Sequence, residues 1–421
     1  MTVSKYGTFK DSLNAPVHRW FTYPAGYSHK LVEAKAGEYG IGPGGLIADP
    51  FVGTGTTSLA AKQMGVDSVG VEAHPFVYWV AQTKLDYEND LDLLEKEAGL
   101  ISEHSHDILS EGCHMDAHWP DLVHKCFDEE NLDRLYALRT AVLDNGGERQ
   151  DFFKVALTAA LRDTTSAGAG WPYIAPSKFA ERKIRRNAFH EFSRRCDLMA
   201  QDVAQMLAAT APASEHRLVN GDARRLSDYV EKADMILTSP PYLNNYDYAD
   251  RTRMETYFWG LYDSWADITA NVRDKLMMAA TTQVRRGEMV DTAGMPLVAS
   301  LDAVVHGDLQ DAVERLEELR TQKSGKKSYD MMAAGYFEDM AQVVMQAREV
   351  LKVGCPFILV LGDSAPYGVH VPTDEIIGRL AVGAGFSSYS VEVIRTRGDK
   401  WAGNSQRHKI PLRESIVTVI R

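Results

Sequence analysis

The chain has 421 residues, 45% hydrophobic and 25% charged, the composition of a soluble globular protein longer than one average domain needs. Its 46 Lys and Arg against 58 Asp and Glu give a formal charge of −12, which excludes a uniformly basic, histone-like binder but not a local basic groove. Four scattered cysteines (Cys113, Cys126, Cys196, Cys355) exclude a disulfide framework, and the N-terminus lacks a signal-peptide pattern while no apolar run reaches a membrane span, so a cytoplasmic protein with no membrane partner is expected.

Seven short β-rich runs recur along the chain: Leu46–Asp49, Ser68–Glu72, Arg217–Val219, Met235–Thr238, Phe357–Leu361, Tyr389–Arg395 and Ser415–Ile420. Each is a buried-strand pattern flanked by turn residues. Helical patterns separate many of them, such as Thr57–Met64 and Tyr336–Val350. Alternation of this kind predicts an α/β fold, a doubly wound and mostly parallel seven-stranded sheet. The last two strands lack room for a helix between them and are expected as an antiparallel pair. Two stretches break the alternation with helical patterns, including Leu132–Val142, Asp151–Leu161 and VERLEELR. They are read as insertions, which divides the chain into 1–84, a helical insertion 85–215, a continued core 216–248, a second insertion 249–330, and a final sheet part 331–421. KSGKKS, Lys323–Ser328, reads as a flexible basic loop.

Four motifs carry chemistry. DPFVGTGTT, Asp49–Thr57, joins a strand to a helix. Gly53 and Gly55 permit a tight turn close to a ligand, and the helix N-terminus adds free N–H groups. An acidic residue at the strand end, Asp49, suits a cationic ligand group. A Walker loop is disfavoured because no Lys follows, and the dinucleotide fingerprint lacks its third glycine. Glu72, in VGVEAHP, ends the next strand about 20 residues on, where a carboxylate accepts from ribose hydroxyls. Asp222, in VNGDAR, follows a further strand and is placed to accept from an adenine amino group. The most specific motif is LTSPPY, Leu237–Tyr242, after the strand MIL. Two prolines fix a rigid extended turn. Such a turn presents the Ser239 hydroxyl and the Pro240 carbonyl as acceptors for a planar amine, with Pro241 stiffening it and the Tyr242 ring beside it for stacking.

With these residues in place, the chain resembles S-adenosylmethionine-dependent amino-methyltransferases of DNA, the cytosine-N4 type of restriction-modification systems. DPFVGTGTT resembles that family's cofactor loop, TSPPY its catalytic motif, HRWFTYPAGYSHKLV (His18–Val32) the segment beside the cofactor's methionine end, and RGDKWAGNSQRHKIPLRES (Arg397–Ser415) a C-terminal stretch of such enzymes. The resemblance covers somewhat more than half the chain and implies a class I, Rossmann-like methyltransferase sheet. It implies Tyr23, Pro24, Asp49, Pro50, Phe51, Gly53, Gly55, Thr56, Thr57, Glu72 and Asp222 as cofactor-binding residues, and Ser239, Pro240, Pro241 and Tyr242 as catalytic ones. The implied reaction is transfer of a methyl group to cytosine N4 in double-stranded DNA, the target base being flipped out. A cognate restriction endonuclease is an implied partner. The long gap between Glu72 and Asp222 departs from the family's spacing, which leaves Asp222 less secure than Asp49. Alternatives are adenine-N6 methylation, RNA amino-methylation, and a catalytically silent nucleic-acid binder. Carbon methylation of cytosine is disfavoured because no cysteine follows a proline.

For nucleic acid, Arg182–Arg195 carries six Lys and Arg against one Glu. On a helix, Lys183, Arg186, His190 and Arg194 share one face while Ile184, Ala188 and Phe192 share the other. The basic stripe suits phosphates. SAGAGWPYIAP, Ser166–Pro176, places aromatics near the same surface, and Lys400 and Arg407 add cations in the C-terminal stretch. The His/Cys-rich stretch from His104 to Cys126 has no ordinary zinc spacing, so no metal is expected.

Overall fold

The computed structural model describes residues 9, 11–23, 26–112, 119–165, 186–209, 211–284, 294–322, 327–397 and 411–421. In chain order its main elements are α1 (His29–Glu38), β1 (Leu46–Asp49), α2 (Thr56–Met64), β2 (Asp67–Glu72) and α3 (Pro75–Leu85). Next come α4 (Leu91–Ser110), α5 (Asp121–Cys126), α6 (Glu129–Asn145), α7 (Gln150–Thr164), α8 (Ala188–Ala208), β3 (His216–Asn220) and β4 (Met235–Thr238). The chain continues through α9 (Arg253–Phe258), α10 (Trp265–Asn271), α11 (Pro296–Leu301), α12 (Ala303–Gln322) and α13 (Tyr329–Val350). It ends with β5 (Pro356–Gly362), α14 (Thr373–Gly383), β6 (Ser388–Arg397) and β7 (Leu412–Ile420).

The seven strands form one sheet in the order β3-β2-β1-β4-β5-β7-β6. Every pairing is parallel except those of β7, which runs antiparallel to both β5 and β6. This is the mostly parallel doubly wound α/β sheet that the seven runs predict, with its antiparallel C-terminal pair. β5 is buried along its whole length, as a central strand covered on both faces must be. One face packs against α1 and α2 through Leu31, Val32, Ala60, Ala61, Met235 and Ile358. The other packs against α12–α14 through Leu309, Phe337, Met340, Leu359 and Leu380.

Between β2 and β3 the described residues form α3–α8 and no strand. Phe152, Phe153, Leu138, Phe192 and Met199 pack these helices into a core shared with Trp20 and Phe21. Buried Asp202 on α8 clamps the N-terminal segment: it accepts from Val17 N at 3.0 Å, Trp20 Nε1 at 3.0 Å and Arg19 Nη2 at 2.5 Å. The residues leading to the site are thereby held against the helical layer.

One expectation on this layer fails. The helix predicted to carry the basic stripe begins only at Ala188, because Asn187 caps it by accepting from His190 N at 3.2 Å. Arg186 lies before the cap, so it does not continue the helical face of His190 and Arg194. Lys183, Ser166–Pro176, Lys400, Arg407, Lys323–Lys326, His114 and His118 lie outside the described residues. Among the described residues no helix is long and apolar enough to cross a membrane, and no group of three or more His, Cys, Asp or Glu is arranged to hold a metal ion.

Candidate active site

A cleft opens at the carboxyl ends of the parallel strands, the edge where open α/β sheets place ligands. Pro50–Thr54 and Thr56 line it from the loop after β1, Glu72–His74 from the end of β2, Asp222 and Ala223 after β3, and Ser239 and Pro241 after β4. Tyr23 and Tyr27 close it from the N-terminal segment, and Tyr248, Lys275–Met277 and Gln283 from beyond the Pro-Pro turn. Pro24 lies outside the described residues.

The loop after β1 is shaped by its glycines. Gly53 (φ 54°) and Gly55 (φ 88°) are left-handed, a conformation most side chains resist. Gly53 lines the cleft and donates its N–H to Glu72 Oε2 at 3.0 Å. Gly55 does not line the cleft, and a Cβ there would make only ordinary contact with Ala81 Cβ at 3.6 Å, so its left-handed φ is what calls for glycine. Glu72 Oε1 accepts from His74 N at 2.8 Å. Burial outweighs these backbone donors and raises the Glu72 carboxyl to about 7.

Asp49 departs from its expected role. It is 1% exposed and does not line the cleft. One carboxylate oxygen accepts from Phe51 N at 3.0 Å and Thr238 Oγ1 at 2.6 Å, the other from Tyr27 Oη at 2.9 Å and Thr57 Oγ1 at 2.6 Å. Two donors per oxygen leave no free face for a ligand cation. Asp49 instead ties the N-terminal segment, the glycine loop, α2 and the strand feeding the Pro-Pro turn to one point. Thr57 is likewise fully buried, and it too lies behind the wall.

Asp222 does reach the cleft, but both its oxygens hold Arg224, which also meets Asp339 at 2.9 Å. Sequence reading missed Arg224 although it stands two residues on. Lys84, fully buried on α3, was missed as well. Its Nζ donates to Thr54 O at 2.7 Å and His18 O at 3.4 Å, pinning the glycine loop from behind, and burial pushes its ammonium down to about 7.

At the Pro-Pro turn after β4, Ser239 lines the cleft and its hydroxyl donates to Val360 O at 3.1 Å. Its proton is thus committed to β5, which leaves the oxygen to accept. Pro240 is buried, and neither proline has an N–H, so the turn offers no backbone donor there. Tyr242 differs from the expectation of an open stacking ring. It is 4% exposed, and its hydroxyl donates to Glu414 Oε1 at 2.9 Å on β7, a carboxylate also bound by Arg395. Of the tyrosines after the turn, Tyr248 lines the cleft, and its hydroxyl oxygen accepts from Tyr242 N–H. The spacing of aromatics in YLNNYDY was the signal for it.

The expected phosphate stripe is neutralised where it is described. Arg194 meets Asp163 at 2.9 Å and Glu191 at 2.8 Å, and Arg186 lies 3.9 and 3.7 Å from the same two carboxylates.

Residues 10–83 match the family model of N6/N4 methyltransferases, described as DNA methylase, a span holding the N-terminal segment, the glycine loop and Glu72. The chain is 22% identical to the type II methyltransferase M.BsoBI of Geobacillus stearothermophilus across 98% of its own length and 87% of the relative's. It is 25% identical to the type II methyltransferase M.AvaI of Anabaena variabilis across 93% and 83%. A short stretch, 13% of this chain and 10% of the relative, is 40% identical to M.MjaII of Methanocaldococcus jannaschii. Together these similarities liken the chain to N6/N4 DNA methyltransferases over residues 10–83 and to type II methyltransferases over most of its length, without telling the two target amines apart.

Proposed function

We propose that the chain is a site-specific DNA methyltransferase that uses S-adenosylmethionine and methylates the exocyclic N4 of cytosine. The observation that carries this reading is one cleft joining the glycine loop, backed by Glu72, to a Pro-Pro turn that presents acceptors only. The cleft fits the cofactor: Gly53 leaves its wall open, with no heavy atom closer than 4.0 Å to where a Cβ would stand, and Glu72 offers a carboxylate for ribose hydroxyls. When bound, the cofactor supplies an electrophilic methyl group on a sulfonium.

The chain's own residues do the rest. The cytosine amine is a poor nucleophile because its lone pair is delocalised into the ring. Ser239, with its proton held by Val360 O, and the Pro240 carbonyl accept the amine's two hydrogens and draw the nitrogen toward tetrahedral geometry. Holding that nitrogen in line with the methyl group lowers the barrier by orientation, and the methylated nitrogen then gives up one of its two hydrogens as a proton to water. An amine inside a duplex cannot enter this cleft, so the base is extruded first. We assign the reading of DNA sequence to the helices at 85–215 and 249–330, which flank the sheet core.

Incubation with cofactor and mixed-sequence DNA, followed by digestion to nucleosides and mass analysis, should yield N4-methylcytosine. N6-methyladenine alone would move the target to the other amine, and no methylated nucleoside would overturn the reading. Ser239→Ala should lower turnover roughly 10²-fold, the usual loss for one transition-state hydrogen bond, with cofactor affinity unchanged.

A further inference from the structure

The residues directly after the Pro-Pro turn build a ladder of rings that starts on the cleft wall and continues to Tyr246 beside it. Tyr23 and Tyr248 stand 6.0 Å apart at 46°, and Tyr248 and Tyr246 meet edge to face at 6.2 Å. The Arg251 guanidinium lies 4.0 Å over the Tyr246 ring. Tyr248 lines the cleft, while Tyr246 and Arg251 are half-buried and Asn245, just before Tyr246, is exposed.

The segment is braced rather than loose. Asn244, at φ 57°, donates its N–H to Ala279 O at 2.8 Å, and Asn245 N donates to Tyr242 O at 3.2 Å. Asp247 accepts from Arg273 at 2.6 Å and from Thr282 Oγ1 at 2.8 Å. These bonds lock the segment to the stretch whose Lys275, Leu276 and Met277 form the facing wall of the cleft. Arg251 and exposed Lys275 form no ion pair with a described carboxylate, in contrast to Arg186 and Arg194 on the helical layer. Two cations and a run of rings, held beside a cleft in an otherwise acidic protein, match the chemistry of an unstacked nucleotide strand. Rings stack on bases of any identity, and a guanidinium already stacked on a ring can also meet a phosphate.

We propose that residues 242–251 are a nucleotide-capture arm: Tyr248 receives the extruded target base, and the Tyr246–Arg251 pair binds the neighbouring nucleotide of the same strand. This rests on the reading of the cleft as a DNA methyltransferase site and adds which residues hold the strand open.

The test measures binding of a fluorescein-labelled mixed-sequence duplex and of a mixed-sequence single strand, by anisotropy over a salt series. Tyr246→Ala should weaken single-strand binding roughly 5- to 100-fold, the range for losing one stacked base. Tyr246→Phe, which keeps the ring, should bind like wild type. Arg251→Ala should weaken binding to both probes and reduce the duplex salt slope by about 0.9, the effect of one lost phosphate contact. Arg251→Lys should restore the slope. Calorimetric cofactor affinity equal to wild type shows that each variant is folded. Unchanged affinity and slope in Tyr246→Ala and Arg251→Ala, with the wild type still methylating DNA, would overturn the arm alone. A wild type that neither binds nor methylates DNA overturns both the arm and the function it rests on.

Discussion

Asp49 and Glu72 end neighbouring strands, yet their surroundings give them opposite work. Four donors saturate Asp49, so its carboxylate is structural. Glu72 has two backbone donors and a wall of the cleft in front of it, and burial lifts it to about 7 from the ordinary 4.5. A carboxyl raised on folding takes up a proton between those values. Its contribution to the stability of the free protein is therefore full below pH 4.5 and lost as pH rises through about 7. Ligand binding should show the reverse, because only the carboxylate accepts from both ribose hydroxyls. Titration calorimetry should find cofactor affinity rising between pH 6 and 8, by at most about tenfold per unit below the pKa, and flat in Glu72→Gln. A flat profile in the wild type would take Glu72 out of contact with the ribose. Glu72 was legible because a fixed spacing after a glycine loop implies a position on the next strand. The saturation of Asp49 was not, since Tyr27, Thr57 and Thr238 meet it only once the sheet is assembled.

The strands were the most readable elements. Each of the seven runs is short and apolar between turn residues, and each falls within an observed strand, with β1 and β4 matching to the residue. Ends set by tertiary contacts were harder to read. β7 starts at Leu412, three residues before its apolar run, because Arg413 and Glu414 are held by ion pairs rather than by apolar packing. The start of α8 was misread because a polar cap, Asn187, outweighed the charge pattern before it. Arg413 shows what such an end is worth. It meets buried Asp374 at 2.8 Å and buried Asp363 at 3.3 Å, the latter raised by burial and by Asp374 beside it. Arg413→Ala removes the guanidinium from buried Asp374 and leaves Asp363 with His370 at 3.0 Å, and should cost about 3 kcal/mol at pH 8. Urea melts at pH 5 should show a smaller deficit, since the Asp363 carboxyl, raised by burial, takes up a proton more readily as pH falls. An equal deficit at both values would mean that the loss is one of packing alone.

At the scale of the whole molecule, a chain of net charge −12 has to meet a polyanion through a small part of its surface. Composition excluded a uniformly basic binder but could not locate the free cations, because pairing is decided by the fold. Arg194 is spent on Asp163 and Glu191. Arg194→Ala should therefore lower the melting temperature while leaving the salt dependence of duplex binding unchanged. A reduced slope in that variant would return α8 to the DNA interface. The wide separation of the site's parts along the chain has a consequence of its own during synthesis. β1 pairs on one side with β2, close in sequence, and on the other with β4, where Leu46 N reaches Asp234 Oδ2 across 188 residues. At about 5–20 residues per second the ribosome needs roughly 10–40 s to supply that second edge. Until then a nascent chain carries its glycine loop beside an open, apolar strand edge, the kind of template on which unrelated chains pair and aggregate. The helices made in that interval, gathered by Asp202 around the N-terminal segment, offer the early chain something to fold onto while it waits.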